Sequence, residues 1–79
     1  MSKPRPVHVT WLDAFDAPAK WVGRAELGTT PATVDTVGWL IKPDVIADHL
    51  TVVTSIVHGE TYGGGIHIPR ACVVKVRKL

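Results

Sequence analysis

Val7, Val9 and Trp11 alternate with His8, Thr10 and Leu12, so the first apolar segment repeats every two residues. A period of two predicts a strand with one face turned to a core. Pro4 and Pro6 keep the chain ahead of it extended. Residues 13–20 (DAFDAPAK) are turn-rich, contain Pro18 and read as a loop. Trp21 and Val22 are apolar. Residues 23–27 read either as one helical turn or as a short strand, which residues 28–31 (GTTP) break. Residues 33–42 (TVDTVGWLIK) form the second predicted strand, with Val37, Trp39 and Ile41 on one face. Gly38 inside it marks a bulge or a close backbone approach. Pro43 and Asp44 turn the chain, and residues 45–48 read as the tip of a wide hairpin. Residues 49–58 (HLTVVTSIVH) are a third strand, with Leu50, Val52, Thr54 and Ile56 facing one way. Residues 59–65 (GETYGGG) are a flexible turn and residues 66–68 a short fourth strand stopped by Pro69. Residues 70–72 have room only for a 3-10 turn. Residues 73–79 (VVKVRKL) are the last strand, with Val74 and Val76 inward and Lys75 and Arg77 outward.

Composition strengthens the strand reading. Twelve Val, eight Thr and five Ile make 25 of 79 residues β-branched. Such side chains lose rotamer freedom in helices and fit a pleated surface. The length allows one domain and a marginal core, so association into a homo-oligomer is expected. A hydrophobic fraction of 46% and a charged fraction of 20% indicate a folded chain rather than a disordered one. Cys72 is the single cysteine, which excludes an intrachain disulfide and favours a reducing compartment. No apolar run is long enough to span a membrane, and no apolar stretch follows the charged start as in a signal peptide. A cytoplasmic location and no membrane contact are therefore expected.

Five short strands suggest a small all-β barrel. Residues 66–76 (IHIPRACVVKV) resemble the end of an SH3 domain, where a strand ends in Ile-Pro, one 3-10 turn follows and a Val opens the final strand. A strand ending in Trp11-Leu12-Asp13-Ala14 before a long loop is similar to the front of that fold. The resemblance implies a five-stranded SH3-like barrel spanning residues 1–79, with residues 1–6 as an extended arm. Closure would remove the sheet edges. The paired Trp residues and acidic loop of a proline-peptide groove are missing, so peptide binding is not implied. A second resemblance runs along most of the chain. Val9, Trp11, Asp13, Ala14, Trp21, Val34, Val37, Gly38, Leu40, Gly65, Ile68, Pro69 and residues 73–79 follow a pattern similar to small accessory proteins of tailed bacteriophages. That likeness implies a protein acting inside a bacterium and supplies no catalytic residues.

Candidate chemistry is sparse. His8, His49, His58 and His67 lack the spacing of a zinc site, although His8 and His67 would meet near Cys72 if their strands were neighbours. Asp13 with Asp16, or Asp35 with Glu60, are the available carboxylate pairs, but general acid–base work needs a cleft that 79 residues hardly provide. Ser55 and Cys72 sit in no nucleophile motif. No enzyme activity and no cofactor are expected. Gly63, Gly64 and Gly65 offer backbone N–H groups to an anion, with Tyr62 and Arg70 close in sequence, although no P-loop pattern is present. Trp11 and Trp39 suit inward strand positions, whereas Trp21 follows a loop and suits stacking on a ligand or a subunit.

Charge changes the picture most. Lys3, Arg5, Arg70, Lys75, Arg77 and Lys78 place six of nine cations at the two ends, while residues 6–69 carry three cations and seven anions. If the first and last strands pair, Lys3, Arg5, Lys75, Arg77 and Lys78 form one basic patch. The sequence therefore predicts a non-enzymatic binding module. The first expectation is a phage accessory or anti-defence protein that captures a host protein or a small signalling nucleotide through Trp21, Tyr62, Gly63, Gly64 and Arg70. The alternatives are a nucleic-acid-binding small barrel resting on the basic ends, and a structural part of a virion or its assembly.

Overall fold

A computed structural model describes residues 3–13, 21–28 and 31–79. Among the described residues seven strands form: β1 (Arg5–Asp13), β2 (Ala32–Leu40), β3 (His49–Val53), β4 (Ser55–Val57), β5 (Thr61–Gly63), β6 (Ile66–Pro69) and β7 (Val73–Lys78). Three-residue and four-residue 3-10 turns lie at Arg70–Cys72 and Arg24–Leu27. The second settles residues 23–27 as a turn of helix. Most of the predicted loop of residues 13–20 lies outside the described residues, as do residues 29 and 30.

The strands make a five-stranded antiparallel sheet in the order β6-β3-β2-β1-β7, plus the β4–β5 hairpin. No ladder joins the two edges β6 and β7, so the sheet does not close as the predicted barrel. The predicted third strand breaks at Thr54, and the predicted flexible turn contains β5. Yet one register runs through the break. Val52 opposes Ile66, and Ser55 opposes Gly63. The β4–β5 hairpin is thus a continuation of the β3–β6 pair past Thr54 and Gly64. It turns over His58 and Gly59, both at positive φ, with the Glu60 N–H donating to the Val57 carbonyl at 3.2 Å. Two consecutive positive-φ residues match the right-handed twist of the flanking strands.

The core is built from both halves of the sheet. Val7, Val9 and Trp11 of β1 pack with Leu50 and Val52 of β3 and Ile68 of β6. Strands β1 and β3 are separated in the sheet by β2, so these side chains meet only because β3–β6 folds over the core face of β1. Trp11 is 7% exposed, and its indole N–H donates to Thr36 Oγ1 at 3.0 Å. That bond satisfies the polar end of the largest core side chain.

Trp39 corrects the sequence reading. Val7 opposes Gly38 and Val9 opposes Thr36, so the even positions of β2 share the core face. Val37 and Trp39 point outward and are exposed. Gly38 takes the inward position because β3 crosses there. A Cβ on Gly38 would collide with the Val53 carbonyl oxygen and with Val52 Cγ1. The close approach suggested by the sequence is therefore real, and no bulge is needed.

Gly38→Ala should destabilise the protein by about 1–3 kcal/mol, because the obstacle is backbone and cannot swing away. Gly63→Ala is the control. Its Cβ would meet Ser55 Cβ at 3.6 Å, an ordinary contact, so the cost should stay within about 0.5 kcal/mol. Urea midpoints of the two variants decide the matter, and equal values would exclude the close approach as a constraint.

Candidate functional site

The β1–β2 and β1–β7 ladders bring the chain's two ends together. Arg5 opposes Leu40 at the end of the β1–β2 ladder, and Lys3 and Lys42 lie just beyond it. Val7 opposes Lys78. Lys3, Arg5, Lys42 and Lys78 consequently surround one concavity of about 240 Å³ with Leu40 in its wall. Three of these residues were expected in the basic patch. Lys42 was not, because it lies alone in the acidic middle of the sequence. The signal that finds it is the antiparallel register of β1 with β2.

Lys75 and Arg77 go elsewhere. Thr10 opposes Lys75 and His8 opposes Arg77, on the outer face of the sheet. These four residues line a smaller hollow of about 80 Å³. Alternation along β7 therefore divides the predicted patch between two faces, with Lys78 on one and Lys75 and Arg77 on the other.

The outer hollow is held by a polar chain across three strands. Arg77 Nη2 donates to His8 Nδ1 at 3.2 Å, since a guanidinium has no lone pair to accept with. The His8 proton then sits on Nε2, which donates to Asp35 Oδ1 at 2.9 Å. Thr10 Oγ1 donates to the same oxygen at 2.8 Å. The bond from His8, then the bond from Thr10, hold the Asp35 carboxyl below its ordinary range. Both ring nitrogens of His8 are thereby engaged, which leaves neither in position to act as a general base.

Arg70 is engaged as well. Its Nη2 donates to Asp44 Oδ2 at 2.8 Å, and Lys42 Nζ donates to Asp44 Oδ1 at 3.1 Å. Arg70 first and Lys42 second hold the Asp44 carboxyl below its usual value. The Arg70 N–H also donates to the Asp48 carbonyl at 2.8 Å. Tyr62 and Gly63 lie on β5 and Gly64 just after it, at the other end of β6 from Arg70. The structure does not bring these four proposed ligand residues together. Trp21 is fully exposed, outside any strand, and lines none of the concavities named here.

His67 bonds Thr51 at 2.8 Å on the β3–β6 pair, while His8 is on β1 with β2 and β3 between them. The two histidines do not meet. Among the described residues, no three His, Cys, Asp or Glu gather at metal-binding distance. Asp35 and Glu60 are likewise apart, on β2 and on the tip of the β4–β5 hairpin. No helix of the described residues is long and apolar enough to cross a membrane, which leaves membrane passage by strands untouched. These features define a small all-β protein with a cationic concavity at one end of its sheet. No family model, no curated protein and no solved structure matches the chain.

The pH dependence of stability follows from the two lowered carboxyls. Their contribution is complete above the unfolded carboxyl pKa of about 4 and is lost as pH falls through the lower folded values. Asp44→Asn should therefore flatten the acid limb of a plot of urea midpoint against pH below about 4. An acid limb identical to that of the parent chain would mean that the Asp44 contacts do not form in solution.

Proposed function

We propose that the protein is a non-enzymatic binding module for a phosphate-bearing polymer, with single-stranded nucleic acid the class that fits best. The observation that carries this reading is the convergence of Lys3, Arg5, Lys42 and Lys78 on one concavity. Like charges repel, so four cations gathered from three chain segments favour an anion among them. Among the described residues only Lys42 of the four has a carboxylate within ion-pair distance. Trp39 and Pro6, cross-strand partners, border a second concavity of about 260 Å³ on the outer face at the same end of β1. A part-exposed indole at the same end of the sheet as the cations, on its other face, offers a platform for base stacking.

A polymer suits the protein better than a single nucleotide, because Lys75 and Arg77 add cations on the other face of β7, outside the first concavity. Capture of a small nucleotide at Tyr62, Gly63, Gly64 and Arg70 has less support, since Asp44 already holds Arg70. The strand order β6-β3-β2-β1-β7, with a 3-10 turn ahead of the last strand, supports reading the fold as an SH3-like barrel left open between its edges. The phage accessory role implied by the sequence resemblance is part of the same proposal, as a module acting on nucleic acid inside an infected bacterium.

Fluorescence anisotropy with a labelled oligothymidylate tests this. Binding should weaken with salt, and each of Arg5→Ala, Lys42→Ala and Lys78→Ala should lower the log–log salt slope by about 0.7. Trp39→Ala should weaken binding about tenfold or more, with Trp39→Phe retaining most of it. Displacement by mononucleotide at equal phosphate concentration would shift the reading to a nucleotide binder. Absence of binding at low salt would end it.

A further inference from the structure

We infer that the free edge of β7 is a docking site for an extended acidic segment of another protein, which adds to the sheet as a sixth strand. Among the described residues, strand β7 pairs with β1 alone, and its other edge has no neighbour in the sheet. The Leu79 N–H donates to the Pro6 carbonyl at 3.0 Å. In an antiparallel ladder such hydrogen-bonded positions alternate. Arg77 and Lys75 therefore turn their backbone groups to β1, while Val76 and Lys78 turn theirs outward; the alternation stops at Val74, where the register shifts by one residue. Among the described residues, those outward groups have no backbone partner. They are a ready template for another strand.

The side chains of this edge select the partner. Val76 opposes Val9, which is fully buried, yet Val76 is 43% and Val74 61% exposed. The core face is thus covered over β1 by β3 and β6, and at the start of β7 Val73 packs against it, but it is left bare at Val76. On the opposite face Lys75 and Arg77 have no carboxylate within ion-pair distance among the described residues. A strand laid against this edge along Lys75–Lys78 would place every second side chain beside Val76 and the others beside Lys75 and Arg77. The complementary sequence alternates apolar and acidic residues. A second copy of this chain does not meet that requirement. Two β7 strands paired about a two-fold axis would set the Lys75 and Arg77 side chains of both copies against one another on one face, which is destabilising.

The experiment uses the full chain and an alternating Glu-Val peptide of about eight residues, with a Lys-Val peptide as its charge-reversed control. Amide hydrogen exchange is followed by NMR. The Glu-Val peptide should slow exchange at Val76 and Lys78 by about tenfold or more while leaving exposed amides of the β4–β5 hairpin unchanged. Lys75→Glu with Arg77→Glu should abolish that protection and transfer it to the Lys-Val peptide. A Glu-Val peptide N-methylated at alternate residues keeps its charge and loses its outward N–H groups, so it should protect nothing. Equal protection by the methylated peptide would reduce the effect to non-specific charge attraction and overturn the proposal. Protection that rises with protein concentration in the absence of peptide would overturn it in favour of self-association. Protection of the same amides by oligothymidylate but not by peptide would assign the edge to nucleic acid instead.

Discussion

The whole fold turns on a narrow junction between β2 and β3. Only Trp39–Val53 and Leu40–Val52 pair across it, reinforced by the Ile41 N–H donating to the Thr51 carbonyl at 2.9 Å. Every other ladder among the described residues lies within β7–β1–β2 or within β3–β6 and its β4–β5 continuation. The junction forms because Gly38 has no side chain where the Val53 carbonyl arrives. It is also where the sheet folds on itself. A flat five-stranded sheet would hold its edges about 19 Å apart, at roughly 4.8 Å per strand step. The chain from Pro69 to Val73 spans at most about 14 Å and is shortened further by its 3-10 turn. The two edges can be joined by so short a link only if the sheet curls. The curl delivers Leu50, Val52 and Ile68 onto Val7, Val9 and Trp11, and the core exists because of it.

The same ladders sort the charge. Lys3 and Arg5 arrive with the start of β1, Lys78 with the end of β7 and Lys42 with the exit from β2. Their meeting is a consequence of antiparallel register, not of nearness in sequence. Asp44 is placed by the turn after β2 so that one carboxylate serves both Lys42 and Arg70. This leaves Arg70 anchoring the 3-10 turn that links the two edges, a structural task that withdraws it from ligand binding. On the outer face, Asp35 plays the corresponding part for His8 and Thr10.

Strands β1, β2 and β7 were legible in the sequence from their β-branched residues and short alternating runs, of which β1 keeps the longest. The facing of β1 was legible too, since Val7, Val9 and Trp11 have polar or exposed neighbours. The facing of β2 was not. Its two faces hold Val37 and Trp39 against Val34, Thr36, Gly38 and Leu40, and hydrophobicity alone prefers the first set. The crossing of β3 decided otherwise, because only a glycine fits beneath the Val53 carbonyl. Open edges were equally hidden. A pattern of five strands specifies which neighbours pair, but whether the last two edges meet depends on the sharpness of the fold at β2–β3. Of the candidate site, the terminal cations were readable from charge distribution. Their division between two faces was a matter of β7 parity against β1, and the recruitment of Lys42 required the register.

Two edges that lack a strand neighbour among the described residues need protection from indiscriminate pairing, and they manage it differently. Strand β6 is four residues long and ends in Pro69, which has no N–H to offer. Strand β7 is six residues long and uses charge, with Lys75, Arg77 and Lys78 alternating around Val76. Proline blocks any incoming strand by removing a donor. Charge discriminates, because it raises the energy of approach for a cationic strand and lowers it for an anionic one. A chain that needed only solubility would gain as much from proline at both edges. Cations on β7 keep the ladder intact and leave the edge selective, and that selectivity is the property a binding surface requires.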